Sequence, residues 1–335
     1  MKKILIINTG GTFSSQATDE GLAPALKSSA ILDSASGISA DIELVAEDYC
    51  SLDSANIVPE DWISIADRVG GSVNDYDGFV IIHGTDTMAY TASMLSFMLK
   101  GIPVPVVLTG SQMPLGMPMS DALMNLHCAV WMAASGVPGV YVAFDRKIML
   151  GCRTSKVRTV SFNAFESINY PFAGEVNAYG LQLYTEGRTP SKDFRPHTNY
   201  SDRISILKLY PGMDPGVLTY LRDNGIQGVY IEGFGLGGVP FLRKDFTAEI
   251  KKASDLGMPI LVGSQCRYEG SDLSVYETGK RILECGGIPV YDMTEEAIVT
   301  KLMWCLGQTK DYRNIRELFD TDLAGEVTLK KTLQK

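Results

Sequence analysis

The chain has 335 residues, 45% of them apolar, and a formal net charge of −9. That length buries a large core in one or two domains, and the acidity, with no local run of Lys or Arg to offset it, argues against nucleic acid and anionic membrane surfaces as partners. The apolar run in MKKILIINTGG is four residues long, short of the roughly 7–15 residues of a signal-peptide core, and no stretch approaches the ~20 apolar residues of a membrane span. A cytoplasmic protein is expected.

In chain order, an apolar strand at 3–8 runs into Thr9-Gly10-Gly11-Thr12. Two glycines allow a sharp turn and close approach to a ligand, and the threonines add hydroxyls. A phosphate loop has the same look, but no GxxxxGK[ST] is present. The polar stretch between Phe13 and Pro24 reads as a lid that closes on a ligand. A strand at 42–45 leads to a loop carrying Asp53 and Ser54, and a helix is expected over 60–69. The run Phe79–Ile82 belongs to a strand at 78–82 buried on both faces, and 88–99 to a helix closed by Gly101. Thr85, Asp86 and Thr87 therefore sit on a strand-to-helix turn, at the sheet edge where α/β proteins bind ligands. One such residue would suffice as a helix cap, so three together point to chemistry.

A strand at 104–109 ends in Ser111 and Gln112, followed by a helix at 120–135 and a strand at 139–144. The sequence turns polar from 179 to 201, with Pro190 and Pro196, as an inter-domain linker does. Strands at 204–209, 228–231, 259–262 and 288–290 then alternate with helices near 215–224, 245–256, 276–285 and 294–306. The pattern predicts an α/β protein with a larger N-terminal and a smaller C-terminal domain, each a mainly parallel sheet flanked by helices. The expected boundaries are 1–180 for the N-terminal catalytic domain, 181–203 for the linker and 204–335 for the C-terminal domain.

Gly233-Phe234-Gly235-Leu236-Gly237-Gly238 satisfies GxGxxG, yet Pro240 and Arg243-Lys244 precede any helix start, so the context of a dinucleotide site is wrong. His83, His127 and His197 are far apart, without metal-ligand spacing, and no metal is expected. His83 reads as a structural residue ending a buried strand, its ring N–H satisfied by backbone. The six cysteines lack CxxC spacing and read as reduced thiols.

TGGT at 9–12 with HGTDT at 83–87 resembles the two signatures of the bacterial-type L-asparaginase family. Leu52-Asp53-Ser54 before PEDW (59–62), AYTASMLSFML (89–99), TGSQ (109–112), RTSK (153–156), LYPG (209–212), DMT (292–294) and GEVT (325–328) follow the order and approximate spacing of its cytoplasmic, type I branch. The resemblance implies an amidohydrolase converting L-asparagine to L-aspartate and ammonia without a cofactor. Thr12 would attack the side-chain carboxamide, with Thr85, Asp86 and Lys156 as a supporting triad; the residues alone leave open which threonine acts in each half-reaction. It also implies substrate contacts from Gly11, Asp53, Ser54, Ala55, Gly84, Thr85, Asp86, Ser111 and Gln112, and a homo-oligomer, dimer or tetramer. Taken singly, Lys156 in RTSKVR reads as a surface lysine; a Lys-Asp pair beside a threonine, however, is a triad with the imidazole replaced.

Three positions depart from the family pattern: Phe13 replaces Ile or Val, Ala55 replaces Ser or Gln, and Leu22 stands where many relatives carry a lid tyrosine. Tyr276, aligned with a tyrosine that some type I relatives bring from the other domain or a neighbouring protomer, is the candidate substitute. Competing readings are a mixed glutaminase-asparaginase and a non-catalytic amino-acid sensor retaining the pocket. The asparaginase-like component of the archaeal-type tRNA-dependent amidotransferase shares the motifs but carries an additional N-terminal domain, for which a TGGT beginning at residue 9 leaves no room.

Overall fold

The computed structural model describes residues 1–18, 21–24, 27–35 and 37–329, with side chains described for 1–15, 27–35 and 37–329. Two compact units result, Met1–Thr198 and Asn199–Lys335. The first opens with β1 (Lys2–Gly10), the hairpin strands β2 (Ser15–Thr18) and β3 (Gly21–Pro24), α1 (Ser28–Ala35) and β4 (Ile42–Leu52). Next come α2 (Pro59–Gly71), β5 (Gly78–Ile82), α3 (Met88–Met98), β6 (Pro105–Thr109), α4 (Ala122–Ala134) and β7 (Gly139–Phe144). Short strands follow: β8 (Lys147–Leu150), β9 (Thr154–Lys156), β10 (Phe165–Ser167), β11 (Gly174–Asn177) and β12 (Gly180–Leu183).

The main sheet has the order β12-β11-β8-β7-β6-β5-β1-β4. β4, β1, β5, β6 and β7 run parallel, while β8, β11 and β12 add an antiparallel edge. The parallel strands read as unbroken apolar runs because both faces are covered. Ile4 to Ile7 and Phe79 to Ile82 have no exposed surface, and each such side chain contributes about 1.5–3 kcal/mol of burial. Every residue of α3 except Tyr90 is buried, as a helix apolar on all sides must be.

From β1 the chain moves outward to β4, then returns to β5 on the other side of β1. This reversal opens a crevice at the carboxyl ends of β1 and β5, the point where open α/β sheets bind ligands. The sequence motifs converge there, since Thr12 follows β1 and Thr85 follows β5.

The second unit contains β13 (Ile204–Lys208), α5 (Val217–Asp223), β14 (Gly228–Gly233), α6 (Phe246–Asp255), β15 (Ile260–Ser264), α7 (Glu277–Glu284), β16 (Ile288–Pro289), α8 (Glu295–Gln308) and α9 (Tyr312–Phe319). Its four strands are parallel in sequence order, and Val229, Ile231, Phe246, Ile260, Val262 and Ile282 belong to its core.

Several elements differ from the sequence expectation. The antiparallel strands β8, β11 and β12 were not foreseen, and β12 carries regular structure to Leu183, inside the segment expected as linker. β8 is only four residues long and β11 and β12 are partly exposed, so none has the long apolar run that marks a central strand. α1 and α9 are likewise additional. The glycines at 233–238 form a tight turn, Phe234 N–H donating to the Gly238 carbonyl at 2.8 Å, and the next helix begins only at Phe246. All six cysteines are free thiols. Among the described residues, no helix is long and apolar enough to cross a membrane.

Candidate active site

Three turns meet at Gly84. In the turn after β1 the Asn8 side-chain oxygen accepts from Gly10 N–H at 3.2 Å and Ser14 Oγ at 2.8 Å. Gly11 has φ +74°, and a Cβ built on it would fall 2.4 Å from Gly84 Cα. Only glycine permits that conformation and that contact. From the loop after β4, Asp53 Oδ1 accepts the Ala55 N–H at 2.9 Å, and Ser54 is buried against Gly84, where an added Cβ would stand 2.5 Å from Ser54 Oγ. Thr87 Oγ1 donates to the Ser54 carbonyl at 2.7 Å. These contacts fix Thr12, Ser54 and Thr85 relative to one another.

Lys156 arrives from β9, which pairs antiparallel with β10, Lys156 opposite Phe165. Its Nζ donates to Thr85 Oγ1 at 2.9 Å and to Asp86 Oδ1 at 2.6 Å. The lysine side chain is 18% exposed and that of Asp86 63%, so the pair lies at the mouth of the site rather than in the core. An amine, a hydroxyl and a carboxylate in hydrogen-bond contact can hold and relay a proton.

The turn after β6 supplies Gln112. Asp121 clamps it, its carboxylate accepting from Gln112 N–H at 3.0 Å, Met113 N–H at 3.0 Å and Asn125 Nδ2 at 3.0 Å. Gln112 Nε2 donates to the carbonyls of Thr159 at 3.1 Å and Ser161 at 3.2 Å. Both partners can only accept, which assigns the amide orientation and leaves Oε1 facing Thr85 Oγ1 at 3.4 Å.

A cavity of about 220 Å³ opens on these groups. Gly11, Thr12, Asp53, Ser54, Gly84, Thr85, Asp86, Gln112 and Lys156 line it, together with Ser15 and Thr159. The last two escaped the sequence reading; the signal available was their place beside TGGT and RTSK. Ser111 and Ala55 are not among the lining residues: the Ser111 hydroxyl is turned to the Met113 carbonyl at 2.6 Å. Tyr276 belongs to the second unit, where it is 62% exposed just before α7. The side chain of Leu22 lies outside the described residues, as do positions 19–20 of the expected lid.

His83 has the structural role read from the sequence, Nδ1 lying 2.7 Å from the Gly84 carbonyl. Cys50, beneath the first turn, is no rival nucleophile: burial, reinforced by Asp61, pushes its thiol up to about 11. Among the described residues, no group of three His, Cys, Asp or Glu side chains is arranged to hold a metal ion.

Residues 3–188 match the family described as "Asparaginase, N-terminal", and residues 203–319 match "Glutaminase/Asparaginase C-terminal domain". The L-asparaginase of Thermococcus kodakarensis is 42% identical over 328 residues, covering 97% of this chain and 99% of that protein. A solved structure of the thermostable L-asparaginase from that organism superposes with a TM-score of 0.92 at 41% identity, over 97% of this chain and 99% of the other. L-asparaginase 1 of Escherichia coli is 34% identical over 98% of each chain. With both family domains matched in order and full-length relatives at this identity, the chain belongs to the asparaginase family, in its type I branch.

Proposed function

We propose that this protein hydrolyses L-asparagine to L-aspartate and ammonia through an ester on Thr12. The observation that carries the reading is Lys156, within 2.9 Å of Thr85 Oγ1 and 2.6 Å of Asp86 Oδ1, in a cavity that Thr12 also lines. Family membership supports it, and so does the size of the cavity, about 220 Å³, below the roughly 300–1,000 Å³ usual for larger ligands. Asp86 would pair with the substrate's α-ammonium and Ser54 would donate to its α-carboxylate, because a zwitterion leaves water only where both charges find partners. Asp53, Gln112 and the backbone at Gly11 and Gly84 would complete the contacts.

In the first step the Thr12 oxygen adds to the carboxamide carbon and its proton passes to the departing nitrogen, which leaves as ammonia. In the second, water adds to the ester carbon, and the Thr12 oxygen recovers a proton as aspartate departs. The Thr85–Lys156–Asp86 group moves these protons. For Lys156 to accept one, its hydrogen bond with Thr85 must reverse, the hydroxyl then donating to the amine. Tyr276, brought by a neighbouring protomer, is the proposed phenol partner of Thr12 in place of the tyrosine absent at Leu22, so Tyr276→Phe should lower kcat; an unchanged kcat rules the assignment out. We further propose a homo-oligomer. Phe234, Leu236, Leu242 and Tyr276 line an apolar cavity of about 780 Å³ on the second unit, and a monomer by light scattering would reject the proposal.

The test is ammonia release by the purified protein given L-asparagine and L-glutamine separately. Asparagine should be cleaved with the higher kcat/KM. A hydrophobic pocket discriminates one methylene by only ~1–3 kcal/mol, so equal values would make the protein a mixed glutaminase-asparaginase. No release from either substrate would favour an amino-acid sensor.

A further inference from the structure

Three buried side chains outside the cavity form a hydrogen-bonded chain that ends on the catalytic turn. Trp62 of α2 is 7% exposed, and Thr91 of α3 and His83 after β5 are fully buried. The indole N–H can only donate, and it lies 2.9 Å from Thr91 Oγ1. At the other end the Gly84 carbonyl can only accept, and it stands 2.7 Å from His83 Nδ1. Nδ1 therefore carries the ring proton. The middle contact, 2.9 Å between Thr91 Oγ1 and His83 Nε2, is then a bond from the threonine hydroxyl to a bare ring nitrogen. In the neutral ring that burial favours, direction is then fixed along the whole chain. Burial holds the His83 pKa below its ordinary value, although the Gly84 carbonyl and Asp61 favour the charged ring.

The peptide group that ends this chain also carries the N–H of Thr85. Peptides are planar, and none among the described residues is cis. A carbonyl held toward the buried imidazole therefore turns the Thr85 N–H to the opposite side. Gly84 and Thr85 both line the cavity, and among the described residues no backbone or side-chain acceptor takes that N–H. Glycine is the residue least able to hold its own peptide plane. Gly84 has to be glycine because a Cβ there would run into Ser54, so its carbonyl needs an external anchor.

We propose that Trp62, Thr91 and His83 are positioning residues that lock the Gly84–Thr85 peptide with its N–H aimed into the cavity, where it donates to the oxyanion formed when a threonine adds to the substrate carbonyl. The proposal rests on the amidohydrolase reading above. A preorganised backbone donor needs no reorientation as charge develops, and losing one such donor lowers kcat by about 10²–10³-fold. Loosening its anchor acts on kcat and not on ground-state binding, because the donor serves the transition state.

The test uses Thr91→Val, which keeps the shape and removes the hydroxyl, with Thr91→Ser as the conservative rescue and Trp62→Phe as a second break in the chain. Thr91→Val is expected to lose about 10–100-fold in kcat with KM within about twofold, a part of the full donor loss. Thr91→Ser should stay near wild type. Independently of activity, ¹⁵N–¹H correlation spectra of the wild type should find His83 as the Nδ1–H tautomer without titration from about pH 5 to 8. The Nε2–H tautomer in the wild type, or wild-type kcat in both Thr91→Val and Trp62→Phe, overturns the proposal. If Thr91→Val fails to fold, Trp62→Phe and the wild-type tautomer decide. A protein that released no ammonia but held His83 as Nδ1–H would refute the assigned reaction and leave the anchored peptide standing.

Discussion

Thr12→Ala is expected to abolish ammonia release from L-asparagine, lowering kcat by about 10⁴-fold or more, the scale of removing the nucleophile from a concerted site. The change removes one hydroxyl from the cavity wall and leaves the flanking glycines, Asp53, Ser54 and Asp86 in place. L-aspartate or L-asparagine should therefore still bind, and calorimetry on the inactive variant would measure it. Thr12 follows two glycines that are shaped by contact with Gly84 and Leu52, and its neighbour Phe13 supplies the packing, being fully buried. The melting temperature should move little. Activity within tenfold of wild type would mean that the attacking oxygen lies elsewhere, with Thr85 the next candidate.

The second large effect concerns folding. Lys301 of α8 and Glu326 are fully buried and paired at 2.5 Å. The ammonium also donates to the Thr321 carbonyl at 2.9 Å and lies 5.1 Å from the centre of the Phe319 ring. The carboxylate accepts from Leu323 N–H at 3.1 Å and Ala324 N–H at 2.7 Å. The pair thus ties the chain after α9 back to α8. Glu326→Ala would leave a buried ammonium without its counter-charge and remove the carboxylate that accepts from the Leu323 and Ala324 N–H groups. A loss of about 3–5 kcal/mol in unfolding free energy is expected, as when one partner of a buried pair is removed. The double variant Lys301→Met, Glu326→Leu should recover part of that loss, because two apolar side chains replace two desolvated charges. Urea unfolding of the single and double variants makes the comparison. A single-variant loss below about 1 kcal/mol would place the pair among weak surface contacts.

Glu326 lies in GEVT, one of the stretches that carried the family resemblance, and its contacts account for that glutamate by folding rather than by catalysis. The central strands were legible for a similar reason. A segment buried on both faces must be apolar throughout, so 3–8 and 78–82 stand out in the sequence. The turns after them were legible because glycine, hydroxyl and carboxylate cluster there directly after an apolar strand, where a single cap residue would suffice. Lys156 was hidden. It sits on a three-residue strand in a two-stranded ribbon, too short to leave a period, and only the resemblance separated it from a surface lysine. Ser111 and Gln112 could not be told apart by position at a strand end. Neighbouring residues there face opposite ways, and the fold points Gln112 at Thr85 and Ser111 at the Met113 carbonyl. The chain from Trp62 through Thr91 to His83 joins residues up to 29 positions apart, and no local pattern marks it.

The most direct measurement is the mass of the protein quenched during turnover of L-asparagine, followed by peptide mapping. The account predicts a species heavier by an aspartyl group, localised to the peptide containing Thr12 and missing from Thr12→Ala. Release of ammonia with no such species even under rapid quenching of a slowed Lys156→Met enzyme, or an adduct mapped to Thr85, would contradict it.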